Sequence, residues 1–196
     1  MGKNLRSINE HKMKPEYVSG KSAWVENIPF AFDLVKRVKP DIIVELGVHY
    51  GDSYFAFCQA VKEYSLSTKC YGIDIFEGDD LTGYYGTEVY TQVSKYNEEH
   101  YKDFSILICN YFDLAIYNFK DSSIDILHID GSHYYVDVKH DFETWLTKVK
   151  KGGIILFHDT KVTKERFGVR KFWKELKVNY KTEELDNEYG LGVLYV

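Results

Sequence analysis

The stretch DIIVELGVHYGDS, Asp41 to Ser53, decides the fold. Ile42 to Leu46 have strand character and run straight into an acidic-glycine loop, Glu45-Leu46-Gly47-Val48-His49-Tyr50-Gly51. A helical pattern follows, with Phe55, Val61 and Tyr64 among its apolar positions. Gly47 permits a turn with positive φ, and Gly51 lets a ligand or the next helix come close. The N-terminus of that helix offers unpaired N–H groups and the positive end of a dipole to an anionic group. The string is not the dinucleotide fingerprint G-x-G-x-x-G, and no Gly-Lys-Ser/Thr follows to bind phosphates. A carboxylate at the strand end repels a pyrophosphate but can hold a cationic amine. The loop therefore suits a ligand that carries both an amino group and a carboxylate.

Outward from that loop, strands alternate with helices. Strands are expected at Ile42–Leu46, Cys70–Asp74, Ser105–Asn110, Ile124–Asp130 and Ile154–Asp159. Helices are expected at Asp52–Tyr64, Val89–Tyr101, Asp113–Phe119, Tyr134–Val149 and Arg166–Leu176, and an earlier one begins at Ser22 or Glu26 and stops before Pro40. Lys151-Gly152-Gly153 reads as the end of the long helix. The closing EELDNEYGLGVLYV holds two short extended segments around Asp186–Gly190. This order predicts an α/β, doubly wound, mostly parallel sheet covered on both faces, whose ligands bind beyond the carboxyl ends of the strands. Residues 1–40 form a leader and a cap helix, which could also make a homodimer contact, and residues 41–196 form the ligand-binding domain.

Composition bounds the function. A chain of 196 residues with 44% hydrophobic content fits one globular domain. A net charge of -5 argues against a nucleic-acid partner. No apolar run approaches a membrane span, and the start MGKNLRSINEHKMK lacks a signal-peptide core and the myristoylation pattern. Cys58, Cys70 and Cys109 are odd in number and lie within apolar segments, so they are expected as reduced core thiols of a cytoplasmic protein. Seventeen Tyr and twelve Phe should mostly pack the core, with some free to line a ring-binding cleft.

Candidate chemistry collects at the strand ends. Asp74 closes the second strand, 29 residues after Glu45, where a carboxylate can accept from both hydroxyls of a ribose and Ile75 can cover an adenine face. Asp130 and Asp159 end neighbouring strands, about 5 Å apart in such a sheet, so they can converge on one oxygen-liganded cation. His133 stands three residues beyond Asp130, and His158 precedes Asp159. His128 alternates with Ile126 and Asp130 and reads as a satisfied core histidine, while His140 and Asp141 read as surface or cap positions.

VELGVHYGDS resembles motif I of the class I S-adenosylmethionine-dependent methyltransferases, whose acidic-x-Gly-x-x-x-Gly loop holds the methionine portion of the cofactor. The resemblance implies a seven-stranded Rossmann-like sheet closed by a C-terminal antiparallel hairpin. It also implies a cofactor site made of Glu45, Gly47, Gly51, Ser53, Asp74, Ile75, Asn110, Tyr111 and Asp130, with Glu45 facing the methionine amine. The string LHIDGSHYYVDVKHDFETWLTKVKKGGIILFHDT, Leu127 to Thr160, resembles the branch that holds sugar O-methyltransferases of macrolide and aminocoumarin biosynthesis and the cephalosporin-hydroxylase-like proteins. That branch binds Mg²⁺ through the aspartate of I-D-G-x-H and an acidic pair at the next strand end, and its following histidine is the base. Here the acidic pair is His158-Asp159, so the resemblance assigns Asp130, Asp159 and His158 to a divalent cation, Mg or Mn, and His133 with Asp130 to catalysis.

Three readings follow: O-methylation of a sugar or glycan hydroxyl, methylation of a small phenolic or amino metabolite, and a non-catalytic cofactor-binding partner of a glycosyltransferase. Gly78, Gly83 and Gly86 suggest a mobile lid, in which Tyr84 and Tyr85 can stack on an acceptor ring. Arg166, Arg170 and Lys174 share one helical face that is either solvated or meets a phosphate-linked glycan.

Overall fold

A computed structural model describes residues 14–196, and the first part of the leader lies outside the described residues. Ser22 accepts a hydrogen bond from the Trp24 N–H and opens a 3₁₀ turn, Ala23–Asn27, that leads into α1, Ile28–Val38. Pro29 at the helix start and Lys39 in a left-handed conformation at its end set the limits of α1. β1, Ile42–Leu46, leads to α2, Asp52–Glu63, and β2, Lys69–Asp74. The two-residue strands β3, Gly78–Asp79, and β4, Gly83–Tyr84, make a small hairpin before α3, Thr87–His100. Then come β5, Ser105–Cys109, the short α4, Phe112–Ala115, β6, Ile124–Ile129, and α5, Tyr135–Trp145. β7, Val149–His158, α6, Val169–Asn179, β8, Lys181–Leu185, and β9, Leu191–Tyr195, complete the chain.

The main sheet has seven strands in the order β5-β2-β1-β6-β7-β9-β8. β1 pairs in parallel with β2 on one side and β6 on the other, and β6 pairs in parallel with β7. The β8–β9 hairpin adds antiparallel against β7. Side chains of β1 alternate between two cores: Ile43 packs with α1 and α2, whereas Val44 and Leu46 pack with α5 and α6. Helix α1 packs its apolar face onto the sheet, since Phe30, Phe32, Leu34 and Val35 belong to the same buried cluster as Ile43 and Phe57, while Pro29 and Lys36 are exposed. No helix among the described residues is long and apolar enough to cross a membrane.

Three local expectations are corrected. β7 starts at Val149, and Lys151-Gly152-Gly153 lies within it; helix α5 has already ended at Trp145, followed by a 3₁₀ turn, Leu146–Lys148. Val149 pairs with Ile124, and the register then shifts before Ile126 meets Ile154, so the glycine pair absorbs a sheet irregularity instead of stopping a helix. The helix expected at Asp113–Phe119 is α-helical only to Ala115 and tightens to 3₁₀ at Ile116–Asn118. Cys58 and Cys70 are buried, but Cys109 is exposed, because it sits on an edge strand.

Candidate functional site

The strand order reverses between β1 and β6, which opens a crevice at their carboxyl ends. The ladder continues into the turns: the Gly47 N–H donates to the Ile73 carbonyl and the Asp130 N–H to the Leu46 carbonyl, both at 2.9 Å. Gly47 has φ of +91°, and a Cβ there would lie 2.1 Å from the Asp130 carbonyl oxygen, so the turn after β1 requires glycine. His49 also takes positive φ, +51°, and its N–H donates to Asp74 Oδ2 at 2.8 Å. Phe76 N–H donates to Asp74 Oδ1 at 2.7 Å, so the loop holds the carboxylate through both oxygens while leaving lone pairs on each. Burial raises the Asp74 pKa, against these backbone hydrogen bonds, which lower it. The N-cap of α2 is Gly51. Asp52 beside it accepts from the Ser19 N–H at 2.8 Å and from the Ser19 hydroxyl, which straps residues of the N-terminal segment across the helix start.

A cavity of about 540 Å³ opens over these turns. Its wall includes Gly47, Gly51, Ser53, Asp74, Ile75 and Tyr111 from the expected cofactor set, and Asp130, His133, His158 and Asp159 from the expected reacting centre. Two expected residues are elsewhere. Glu45 is fully buried behind the wall, where its Oε1 accepts from the Ser53 hydroxyl at 2.6 Å and its Oε2 lies 3.3 Å from His128 Nδ1. Asn110 stands off the wall, its Oδ1 taken by the Tyr111 N–H at 2.9 Å.

At the far end, His133 Nε2 is 2.8 Å from Asp159 Oδ2 and 3.9 Å from Asp130 Oδ1. His158 Nδ1 is 3.3 Å from Asp159 Oδ1 and 3.5 Å from Asp130 Oδ1. Burial works against a charged imidazole at both positions, yet the facing carboxylates prevail: His133 is raised and His158 is pushed up to about 9. Asp130 is held well below the usual carboxylate range, its burial outweighed by His158, His128 and His133. Asp130, His133 and Asp159 each offer a ligand atom within 4.8 Å of the others, a donor set that fits one divalent ion. The grouping contains His133, the imidazole expected as the base, and leaves out His158, which was expected as a ligand. His133 Nδ1 and His158 Nε2 are buried without hydrogen-bond partners.

Several features of the wall are new. His49 lies inside the first loop, where spacing carries no sign of its part, and its φ and its hold on Asp74 reveal it. Phe167 stacks near the His133 ring at 4.7 Å, and Gly168 N–H donates to the His133 carbonyl at 2.7 Å. Lys21, Ser22 and Ala23 of the N-terminal segment also face the cavity. Of Tyr84 and Tyr85 only Tyr85, just beyond β4, faces it; Tyr84, at the end of the strand, is 76% exposed. Arg166 lies in the loop before α6, not on the helix with Arg170 and Lys174, and its guanidinium bonds Asp80 at 2.5 Å and the Tyr134 hydroxyl. That contact joins the β3–β4 hairpin to the loop before α6. His140 is at the surface with Asp113, as expected, but Asp141 is buried under Gly131, which pushes its carboxyl up to about 7.

The fold is shared with solved methyltransferases. An O-methyltransferase from Bacillus cereus, solved in complex with SAH, superposes with a TM-score of 0.67 at 15% identity, covering 90% of this chain and 83% of that one. TomG from Streptomyces achromogenes, an O-methyltransferase involved in tomaymycin synthesis and solved in complex with SAM, gives 0.67 at 11% identity, covering 91% and 83%. Protein y4gI of Sinorhizobium fredii is 41% identical over 192 residues, 98% of this chain, and the chain spans only 21% of that relative's length. The methyltransferase-domain family model matches residues 44–160, from within β1 to just past the end of β7. With the glycine turn, the Asp74 loop and the strand-end cluster all inside that match, the chain belongs to the methyltransferase-domain family.

Proposed function

We propose that this chain is an S-adenosylmethionine-dependent O-methyltransferase that acts on a sugar or glycan hydroxyl, with a divalent cation at Asp130, Asp159 and His158 and with His133 as the base. One observation carries the reading: a single cavity joins a glycine turn and helix start, suited to an amino acid moiety, to a carboxylate and imidazole cluster suited to deprotonating a hydroxyl. The chain's own residues fit the cofactor. The Gly47–Ser53 turn and the start of α2 present backbone N–H groups to a carboxylate, Asp74 retains lone pairs for ribose hydroxyls, and Ile75 with Tyr111 offers apolar surface to a base ring. When bound, the sulfonium supplies an electrophilic methyl group.

The remaining work falls to side chains. His133 takes the acceptor proton as the methyl–oxygen bond forms and the methyl–sulfur bond breaks. Its Nε2 lies 2.8 Å from Asp159 Oδ2, and the facing carboxylates raise its pKa against the effect of burial. A divalent cation, if held by Asp130 and Asp159, would offset the negative field that raises the His133 pKa, leaving the imidazole neutral as the base, and would lower the pKa of a hydroxyl beside it. Aligning the two reactants contributes several kcal/mol to lowering the barrier. Phe167 and Tyr85 supply faces on which a sugar ring can rest.

The aromatic wall, which also includes Phe112 and Tyr189, favours a second reading in which the acceptor is a flat phenol. A mass-spectrometric acceptor screen with S-adenosylmethionine separates the two. Methylated sugars that disappear on chelation and return with Mn²⁺ or Mg²⁺ support the first reading. Activity on catechols or amines, without stimulation by either ion, selects the second. Absence of binding to S-adenosylhomocysteine in calorimetry rejects both.

A further inference from the structure

The charges on the cavity wall are unevenly spent. Asp52 accepts from Ser19, Asp74 from the His49 and Phe76 N–H groups, and Asp79 from Leu81 and Thr82, while Asp130 and Asp159 face the two imidazoles. Against these carboxylates the wall sets two lysines, Lys21 and Lys164, and no arginine among the described residues. Neither ammonium group has an ion pair or a hydrogen bond among the described residues. Lys21 follows the strap at the start of α2, its N–H donating to Ser19 Oγ at 3.0 Å, so it belongs to the turn end of the cavity. Lys164 belongs to the other end: its Nζ stands 5.5 Å from the centre of the Phe167 ring, and that ring is 4.7 Å from the His133 ring.

A disfavoured turn holds Lys164 and Phe167 in that place. Phe167 N–H donates to the Lys164 carbonyl at 3.2 Å, and Arg166, the third residue of the turn, takes φ of +71°, where glycine or asparagine is usual. The Arg166 guanidinium, bound to Asp80 and the Tyr134 hydroxyl, keeps the turn in that shape. Gly168 N–H then fastens its end to the His133 carbonyl at 2.7 Å. From Lys161 to Lys177 the sequence carries seven lysines and arginines against two glutamates, although the whole chain has a net charge of -5. The wall therefore meets a segment of positive potential beside the imidazole that receives the acceptor's proton.

We propose that Lys164 is a specificity-determining residue that pairs with an anionic group, a phosphate or a carboxylate, carried by the sugar acceptor while the sugar ring lies against Phe167. The proposal rests on the sugar reading above and narrows its acceptor to an acidic or phosphorylated sugar. A flexible lysine presents a point charge without a fixed fork of donors, so either oxyanion satisfies it. The carboxylates of the wall oppose such a ligand less than their number suggests, since each already faces protein donors or an imidazole. Arg170 and Lys174 are off the wall and supply only the surrounding field.

Titration of the protein loaded with S-adenosylhomocysteine, followed by heteronuclear NMR, compares glucose, glucuronate and glucose-1-phosphate on the wild type, Lys164→Gln, Lys164→Arg and Lys174→Gln. At least one of the anionic sugars should bind the wild type about 5- to 10-fold more tightly than glucose, between the scale of an exposed ion pair and that of a charge-assisted hydrogen bond. The tighter of the two identifies the anion as carboxylate or phosphate. Lys164→Gln should bind all three sugars alike, whereas Lys164→Arg and Lys174→Gln should keep the preference. Sodium chloride at about 1 M should erase most of it in the wild type. Lys164 is exposed, so its replacement leaves folding intact. Glucose bound as tightly as both anions, a preference that survives in Lys164→Gln, or one lost equally in Lys174→Gln overturns the proposal. Absence of binding by all three sugars also overturns it, and none of these results touches the cofactor reading. Methylation of catechols or amines and of no sugar in the acceptor screen defeats the sugar reading and the proposal with it. A wild type that does not bind S-adenosylhomocysteine defeats the cofactor reading as well.

Discussion

The two ends of the cavity are built in opposite ways. At the Gly47 end the backbone does the holding: Asp74 is fixed by two N–H donors, and the buried Glu45 faces Ser53 and His128. At the Asp130 end four ionisable side chains meet one another, and the imidazole nitrogens His133 Nδ1 and His158 Nε2 are left buried without partners. Backbone donors are set by the turn and cannot move much, which suits a constant ligand. Imidazole and carboxylate groups at 2.8–3.9 Å hold each other only until something else enters between them, which suits a place where protons move.

Breaking the charged end should have the largest effect. His133→Ala is expected to lose roughly 10²–10⁴-fold in turnover, while calorimetric affinity for S-adenosylhomocysteine changes little. Full activity on the true acceptor in that variant would remove His133 from catalysis. Exhaustive chelation should depress turnover and spare cofactor binding; unchanged turnover would remove the cation and leave the base in place.

The backbone-held end should fail differently. Asp74→Ala is expected to weaken S-adenosylhomocysteine binding by roughly 10- to 100-fold, since charge-assisted hydrogen bonds are worth about 1.5–3 kcal/mol. Calorimetry that finds an unchanged affinity would reject the ribose assignment.

Asp141 tests whether the charge beneath the site is a matter of stability alone. Its folded carboxyl holds a proton up to about 7, against an ordinary value of 3.8. Between those values the folded state binds more protons than the unfolded one, so stability falls as pH rises from about 4 to 7. Asp141→Asn should remove that slope, raising stability by roughly 1–2 kcal/mol at pH 8 and little at pH 4, because the carboxamide keeps part of its own burial cost. Thermal unfolding at the two pH values measures it, and an equal shift at both would deny the buried protonated carboxyl. The smallest effect belongs to the rim. Arg166 and Asp80 are half exposed, so Arg166→Ala should cost less than about 1 kcal/mol in acceptor KM and leave the chemical step alone.

The alternation of apolar strands and amphipathic helices determined the doubly wound sheet by itself, because period and length differ between the two. β1 matches its expected limits, and the Gly47 turn, Asp74 and the Asp130–Asp159 convergence all follow from strand ends that topology must bring together. Short-range signals misled where two elements compete for the same residues. Lys151-Gly152-Gly153 has the chemistry of a helix end, yet the pairing of Val149 with Ile124 draws it into β7. Only tertiary structure decided which strand-end side chains reach the cavity: Glu45 and Asn110 sit behind it, and His133 turns onto Asp159. It alone joined Trp24 to His128 across 104 residues, since the direction of a buried donor is set by packing from distant segments and leaves no mark on local spacing.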